Sequence, residues 1–242
     1  MAVTSPKEHR RVVIDGEITR IIFETIEREV KTSDLITEIT RFSTVSSGIL
    51  PAGCVFYARR TDNKNSVNQV FLLELMAHMQ KIVWRRKPET DDEHRHPEKC
   101  FVDLTLSWPN TLWFFLFQGK NFQNVYLTAS SARFIEKGLE TALLRLPMPN
   151  QYNNGDGPFC TGNIVADIAL SIEARVEKIM TDLLSSAWNV DLPPDYSGVG
   201  IENMEDWSKK SEDPEFYKKL NMRVNSARTA NDLLRSFGFG DL

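Results

Sequence analysis

The residues with the clearest chemical potential lie in one segment, LPMPNQYNNGDGPFCTGN, which spans residues 146–163. The segment is dense in Pro, Asn and Gly, which favour turns over regular structure. It contains Cys160 near its end, and a thiol is a useful nucleophile only as an accessible thiolate. The pattern therefore predicts either an ordinary surface loop that contains a thiol or a scaffold that presents one.

Cys160 precedes the strongest helical pattern of the chain, predicted over 164–187. Because a helix N-terminus stabilises negative charge, we expect this helix to favour the thiolate. Neutral amides stand nearby at Asn150, Asn153 and Asn154, and a side-chain amide can donate to the oxyanion of acyl transfer. In this hypothesis Cys160 attacks a carbonyl and an amine later takes the acyl group. A buried structural thiol is the alternative, since free cysteine is often buried.

A second cluster combines His94, His96 and Cys100 within a charged loop. Imidazole and thiolate are zinc ligands, but no fourth ligand is evident in the sequence. The neighbouring Glu and Lys residues are typical of a solvated loop, so we expect neither a metal nor a cofactor. The chain also has no Gly-rich phosphate loop, serine nucleophile elbow or HExxH motif, which gives nucleotide hydrolysis and zinc proteolysis no basis.

The composition is that of a globular protein, with 242 residues of which 41% are hydrophobic and 26% charged. A net charge of −4 offers no basic excess for nucleic acid or an anionic membrane. The first residues, MAVTSPKEHRR, lack the apolar core of a signal peptide, and later apolar stretches are too short to span a membrane. Three cysteines without a CxxC pair indicate reduced thiols. We therefore expect a cytoplasmic protein with no nucleic acid or membrane partner.

The elements that position Cys160 can also be predicted. Six short runs between residues 53 and 129, rich in Val, Phe, Leu, Tyr and Trp, predict strands, and the short gaps between them favour an antiparallel meander. Residues 130–146 suggest a short helix or covering segment. The helix over 164–187 has one apolar stripe, which consists of Ile164, Ile168, Ile172, Val176, Ile179 and Leu183. We therefore predict an α+β fold in which an antiparallel sheet packs against helices.

The two ends of the chain have weaker patterns. Residues 11–42 combine strand-like and helix-like spacing, with a short helix predicted over 33–42. Residues 189–206 predict a loop or linker. An Asp-Pro pair at its start and a glycine at its end predict a last helix over 213–238.

The 146–163 segment resembles the active site of ubiquitin-conjugating enzymes, in which a His-Pro-Asn triplet leads through a glycine-containing loop to the catalytic cysteine. The likeness is closer to bacterial members of that superfamily, which are encoded on mobile elements beside a ubiquitin-like protein, an activating enzyme and an isopeptidase. Their pattern is Leu-Pro-Asn-x-Tyr, then Gly, then Cys-x-Gly-Asn, with a later Ser-x-Phe-Asn-x-Asp-Leu. The matching residues here are Met148-Pro149-Asn150-Gln151-Tyr152, Gly155, Cys160-Thr161-Gly162-Asn163 and the segment 185–192.

The resemblance implies both a fold and a function. It implies a conjugating-enzyme-like domain over residues 45–196, an N-terminal segment before it, and a linker and C-terminal helix over 197–242. Cys160 would then hold a ubiquitin-like protein as a thioester, supplied by its activating enzyme. Asn150, or else Asn153 or Asn154, would be the oxyanion donor, and Asp191, with Asp195, would orient or deprotonate the incoming amine.

Three departures from the family pattern favour a second hypothesis. Met148 stands where the family has histidine, Asn150 and Cys160 lie ten positions apart, which is longer than the usual loop, and no histidine follows Cys160. The second hypothesis is a non-catalytic adaptor, or a structural protein of a mobile element or phage, built on the same fold.

Overall fold

A computed structural model describes residues 50–61, 67–162, 164, 168–189 and 191–239, together with three strands between residues 10 and 31. The chain divides into two compact units, Met1–Ile49 and Leu50–Leu242. The described strands of the first unit form an antiparallel sheet in the order β1-β2-β3. They are β1 (Arg10–Asp15), β2 (Ile18–Phe23) and β3 (Ile26–Lys31). The helix predicted over 33–42 and the domain boundary predicted after residue 44 lie outside the described residues.

The second unit contains every element that surrounds Cys160. All six strands predicted between residues 53 and 129 are present. Its described strands are β4 (Cys54–Thr61), β5 (Val67–Leu75), β6 (His78–Arg85), β7 (Phe101–Trp108), β8 (Thr111–Gln118), β9 (Asn121–Ser130), β10 (Ala142–Leu144), β11 (Ala187–Asn189) and β12 (Val224–Thr229).

Several helices accompany these strands, and residues 130–146 form a short helix, a turn and a strand. The α-helices are α1 (Asp91–Arg95), α2 (Phe134–Lys137), α3 (Ile172–Ser185), α4 (Met204–Lys210) and α5 (Ala230–Ser236). Single 3₁₀ turns cover Pro97–Cys100, Gly138–Glu140 and Phe216–Lys219, and Tyr152–Gly155 forms a turn with a non-helical backbone at its centre. No helix of the described residues is long and apolar enough to cross a lipid bilayer.

The described strands of the second unit form two sheets rather than one meander, so the predicted pairing order is wrong. One sheet has the order β12-β10-β9-β8-β5-β4 and the other β11-β6-β7. Strands β5–β6 and β7–β8 form one long bent ribbon, because the register continues unchanged from Leu75↔Thr111 to His78↔Trp108. The bend lies at Pro109, which has no backbone N–H for a ladder. The Asn110 side chain accepts the N–H of Ala77 at 2.8 Å beside it.

The larger sheet has an apolar core on each face, because its central strands bury alternate residues on opposite sides. Phe71 and Trp113 lie in the core that also contains α3, whereas Leu72 and Phe114 lie in the core that contains α5. This two-sided burial explains the continuous apolar runs of the central strands. Strand β8 shows this burial most clearly, with Trp113 and Phe114 both fully buried.

Helix α3 is shorter than predicted, since it begins at Ile172 and not at residue 164. The Ser171 hydroxyl accepts the N–H of Ala174 at 3.2 Å and caps the first turn. The later half of the predicted stripe is buried, but Ile168 is 71% exposed. Glu173, in the first turn of the helix, is buried as well.

The single C-terminal helix predicted over 213–238 is wrong. The segment forms one 3₁₀ turn, strand β12 and helix α5. Strand β12 pairs with β10, and a reciprocal capping box between Thr229 and Asp232 starts α5 only after that strand. Gly238, at φ 84°, follows the end of α5, as predicted for a terminating glycine. Residues 197–239 belong to the same compact unit as Cys160.

Candidate functional site

The loop before Cys160 has a backbone that only a few residue types adopt easily. Asn150, Asn153 and Asn154 have φ values of 62°, 52° and 53°, in the left-handed region. Asparagine is the commonest non-glycine residue there, because its short polar side chain forms local hydrogen bonds. The dense Asn content that marked this segment in the sequence therefore has a conformational cause.

The two arms of the loop are joined near their base. The N–H of Cys160 donates to the Asn150 carbonyl at 2.6 Å, and the N–H of Tyr152 donates to the Pro158 carbonyl at 3.1 Å. Gln151 and Phe159 form an isolated antiparallel bridge between these two bonds. Cys160 thus lies where the closed loop ends.

The inner side of the loop is fixed to the core. The N–H of Phe159 donates to the Val125 carbonyl at 2.7 Å, and the Gln151 amide donates to the Leu127 carbonyl at 2.5 Å. Both acceptors belong to β9. The Phe159 ring is buried against Trp188, with the ring centroids 4.9 Å apart. The loop is therefore held by a central strand of the sheet and by β11.

The far end of the loop is tied to the C-terminal strand. Asp156 accepts the Arg145 Nε–H at 3.0 Å and the backbone N–H of Ser226 at 3.0 Å. The same arginine makes a second ion-pair contact to Asp156. Arg145 follows β10, and Ser226 lies in β12. Strand β12 therefore helps to hold the Cys160 loop, although the sequence predicted a helix there.

An open groove with a volume of about 550 Å³ lies beside the half-buried Cys160. The groove brings together Cys160, Asn150 and Asp191, the three residues that the sequence predicted for acyl transfer. Asn150 is half-buried and Asp191 is exposed. The groove is lined by Asn150, Phe159, Cys160, Thr161, Gly162, Ile164, Asp182, Leu183, Ser185, Ser186, Ala187, Asn189, Asp191 and Leu192.

Other predicted candidates lie elsewhere. Asn153 and Asn154 are exposed and do not line the groove. Asp195 lies at a separate small cavity and binds Arg223 at 2.7 Å. Hydrogen bonds from Ser197, and then the nearby Arg223, hold the pKa of Asp195 below its ordinary value. Asp195 is thus an anchored carboxylate outside the groove.

The expected role of the helix N-terminus is wrong. Helix α3 begins at Ile172, and its last turn lines the groove through Asp182, Leu183 and Ser185, whereas its first turn does not. The C-terminal end of a helix has partial negative charge. Helix α3 therefore gives no electrostatic support to a thiolate in the groove.

Tyr152 is a neighbour of Cys160 to which the sequence assigned no role. The Tyr152 side chain is 46% exposed. The nearby negative charge of the Cys160 sulfur raises the pKa of Tyr152 above its ordinary value. Only the return of the loop on itself brings these residues together, and no local pattern predicts that return.

The His94, His96 and Cys100 cluster does not converge. Cys100 is buried, at 1% exposure, whereas both histidines are exposed. The ring of His96 lies 3.1 Å from a Glu98 carboxylate oxygen. Within the described residues, no group of three or more His, Cys, Asp or Glu side chains is arranged to hold a metal ion.

Comparison with known proteins adds no family: no protein family, curated protein or solved structure matches this chain. Membership of the ubiquitin-conjugating superfamily stays a prediction from the 146–163 and 185–192 segments. The arrangement around Cys160 is therefore interpreted from its own chemistry.

Proposed function

We propose that this chain is a carrier of the ubiquitin-conjugating type that acts in the cytoplasm. The Cys160 thiolate attacks the thioester that joins a ubiquitin-like protein to its activating enzyme, and the enzyme's thiolate leaves. An amine then attacks the new thioester, an amide forms and the Cys160 thiolate leaves. The observation that supports this proposal is the common groove of Cys160, Asn150 and Asp191.

Each groove residue has a role suited to its chemistry. The Asn150 amide is the donor to the oxyanion that forms during each attack. Asp191 orients the amine and accepts its proton. The other groove carboxylate, Asp182, already binds Lys178 at 2.9 Å, whereas Asp191 makes no ion pair within the described part of the chain. Asp191 is therefore the better placed of the two to receive a cationic amine.

The direct test incubates the purified chain with an activating enzyme, ATP and a ubiquitin-like protein. We expect an adduct on a non-reducing gel that disappears with excess thiol and is absent in Cys160→Ala. Cys54→Ala, which removes another half-buried thiol, is the matched control and keeps the adduct. An adduct that persists in Cys160→Ala, or no adduct with any activating enzyme and ubiquitin-like pair tried, contradicts the proposal.

A non-catalytic adaptor is the second candidate, and the last turn of α3 favours it. A negative helix end beside Cys160 disfavours the anionic form that a carrier needs. Met148 in place of the family histidine has the same implication. An adaptor would bind its partner equally well as wild type and as Cys160→Ala, in a pull-down or by calorimetry, and would form no thiol-sensitive adduct.

A further inference from the structure

The groove beside Cys160 borders the open edge of a strand. Strand β11 (Ala187–Asn189) stands at one end of the order β11-β6-β7 and pairs with β6 on one side. Ser186, directly before it, also has an extended backbone, with φ −75° and ψ 157°. Within the described residues, no backbone hydrogen bond apart from those to β6 involves Ala187–Asn189. The other edge of β11 therefore has N–H and C=O groups with which a further strand can pair.

The groove lies along this edge and not over one face of the sheet. Alternate residues of a strand point to opposite faces, and the Trp188 side chain is buried in the core. Ala187 and Asn189 therefore point to the other face, and both line the groove. Phe159 and Leu183, which belong to the core, line it as well. A space bounded by residues from both sides of β11 lies at the edge of that strand.

The chain that follows β11 is joined to Cys160 by backbone hydrogen bonds. The Asn189 side chain accepts the N–H of Asp191 at 2.9 Å and bends the chain directly after the strand. The Leu192 carbonyl then accepts the N–H of Asn150 at 3.0 Å, and the Asn150 carbonyl accepts the N–H of Cys160 at 2.6 Å. A chain bound along β11 thus occupies a space that Cys160 also lines.

The size and charge of the groove fit a short peptide. Its volume of about 550 Å³ lies within the roughly 300–1,000 Å³ of ligand-binding clefts. The four extended residues 186–189 span about 13 Å at roughly 3.3 Å per residue. The titratable groups that line the groove, besides the thiol, are Asp182 and Asp191, and no Lys, Arg or His is among its described lining residues. A neutral or basic peptide is therefore favoured over an acidic one.

We infer that β11 binds the C-terminal tail of the carried protein as an added, extended strand whose last residue lies at Cys160. Backbone hydrogen bonds to an open strand edge recognise an extended chain, and its alternate side chains supply specificity. The inference rests on the proposed function, in which the carbonyl carbon of that last residue forms the thioester. It adds the class of ligand that the groove takes, an extended peptide of neutral or basic character.

The test tethers a peptide to Cys160 through a disulfide and needs no conjugation partner. The probe is the symmetric disulfide of acetyl-Val-Lys-Val-Gly-cysteamine, in which cysteamine replaces the terminal carboxyl group and supplies a thiol. The Cys160 thiolate attacks one sulfur of the probe, a mixed disulfide forms and the peptide thiolate leaves. With the full chain and a fixed excess of mercaptoethanol, the fraction of mixed disulfide, measured by mass spectrometry, reports how well the peptide binds.

Backbone N-methylation of the probe detects strand pairing. Only alternate residues of a strand direct their N–H groups to the same neighbour. Of the probe's lysine and the valine after it, we therefore expect methylation of one to weaken tethering by about threefold to tenfold, the effect of one hydrogen bond, and methylation of the other to leave it unchanged. Amide hydrogen exchange of residues 186–189 should slow in the tethered protein. Equal effects at the two probe positions, or unchanged exchange at 186–189, overturn the inference.

The charge of the probe tests the predicted ligand class. Glutamate in place of the probe's lysine should lower tethering by about threefold, and Asp191→Asn should narrow this difference. Asp195→Asn, which removes a carboxylate outside the groove, is the matched control and leaves the difference unchanged. An acidic probe that tethers as well as the basic one contradicts the predicted ligand class. Strand pairing of the probe without an adduct from the activating enzyme would reject the carrier function alone, and an adduct without strand pairing would reject this inference alone.

Discussion

Two of the described loops end on a cysteine, and the two thiols differ in their exposure to solvent. The loop that follows β6 ends at Cys100, which is 1% exposed, and the loop over 147–160 ends at Cys160, which is half-exposed beside a groove. Both loops are polar and contain turn-forming residues. The two loops are similar in composition, but they differ in how the backbone continues after the cysteine.

The difference arises from how each loop meets its next element. The 3₁₀ turn Pro97–Cys100 leads directly into β7, and the Cys100 carbonyl accepts the N–H of Arg86 at 3.0 Å across the hairpin. Cys100 thus belongs to the start of a paired strand. The described residues between Cys160 and α3 form no strand, and Thr161, Gly162 and Ile164 line the groove. A thiol becomes accessible where regular pairing stops.

The largest predicted effect is a difference in the free energy of unfolding when the same substitution is made at Cys100 and at Cys160. Cys100→Asp should lower the free energy of unfolding by about 3 kcal/mol or more, because it buries an unpaired carboxylate. Cys160→Asp should lower it by less than about 1 kcal/mol, since solvent reaches the groove. Urea unfolding of the two variants and wild type measures both values. Equal losses would remove the distinction between the loops.

The next prediction concerns the backbone of the Cys160 loop. Asn150→Ala should cost about 1 kcal/mol more stability than Asn150→Gly, because φ at this position is 62° and alanine is strained there. Both variants lose the amide, so both should be equally poor in acyl transfer. Thermal unfolding checks the first statement and adduct formation the second. A transfer defect in alanine but not in glycine would assign Asn150 a backbone role only.

The smallest predicted effect is the acid sensitivity of the Cys100 loop. The carboxylate of Glu93 accepts the backbone N–H of Glu89 at 2.7 Å and binds Arg86. These contacts, led by the Glu89 N–H, lower the pKa of Glu93. A lowered folded-state pKa contributes stability above the ordinary glutamate value of about 4.3, and this stability is lost as the pH falls through the folded-state value.

Glu93→Gln tests this pH dependence. We expect the stability difference between wild type and the variant to be largest near neutral pH and to narrow as the pH falls below the ordinary glutamate pKa of about 4.3. Urea unfolding at a series of pH values measures it. A difference that stays constant over this range contradicts the assignment of the acid sensitivity to Glu93.

The comparison also shows what the sequence could predict. The six strands before residue 130 were predictable because their composition and breaks are local properties of the chain. The pairing order was not predictable. At the bend beside Pro109 the pair β6 and β7 continues into the pair β5 and β8, so the four strands form one ribbon and not a meander. The helix pattern was correct from Ile172 onward, but the same apolar spacing continues back to Ile164, outside the helix, so it placed the start of α3 too close to Cys160.

The site was predictable to a similar degree. Cys160, Asn150 and Asp191 were named from residue types and resemblance, and they line one groove. Tyr152 was not assigned, because only the closed loop brings it near Cys160. The anchoring of the loop by Ser226 was missed, since the chain around that residue was predicted to be helical and is strand β12.

Native alkylation followed by mass spectrometry tests the central claim most directly. Burial raises the pKa of Cys54 and the core encloses Cys100, so both thiols should react slowly. The account predicts that a brief exposure to excess iodoacetamide at neutral pH places one adduct on each folded chain, at Cys160, and that denatured protein treated in the same way takes three. A folded chain in which Cys160 stays unmodified, or reacts no faster than Cys100, would contradict the claim that this loop presents its thiol.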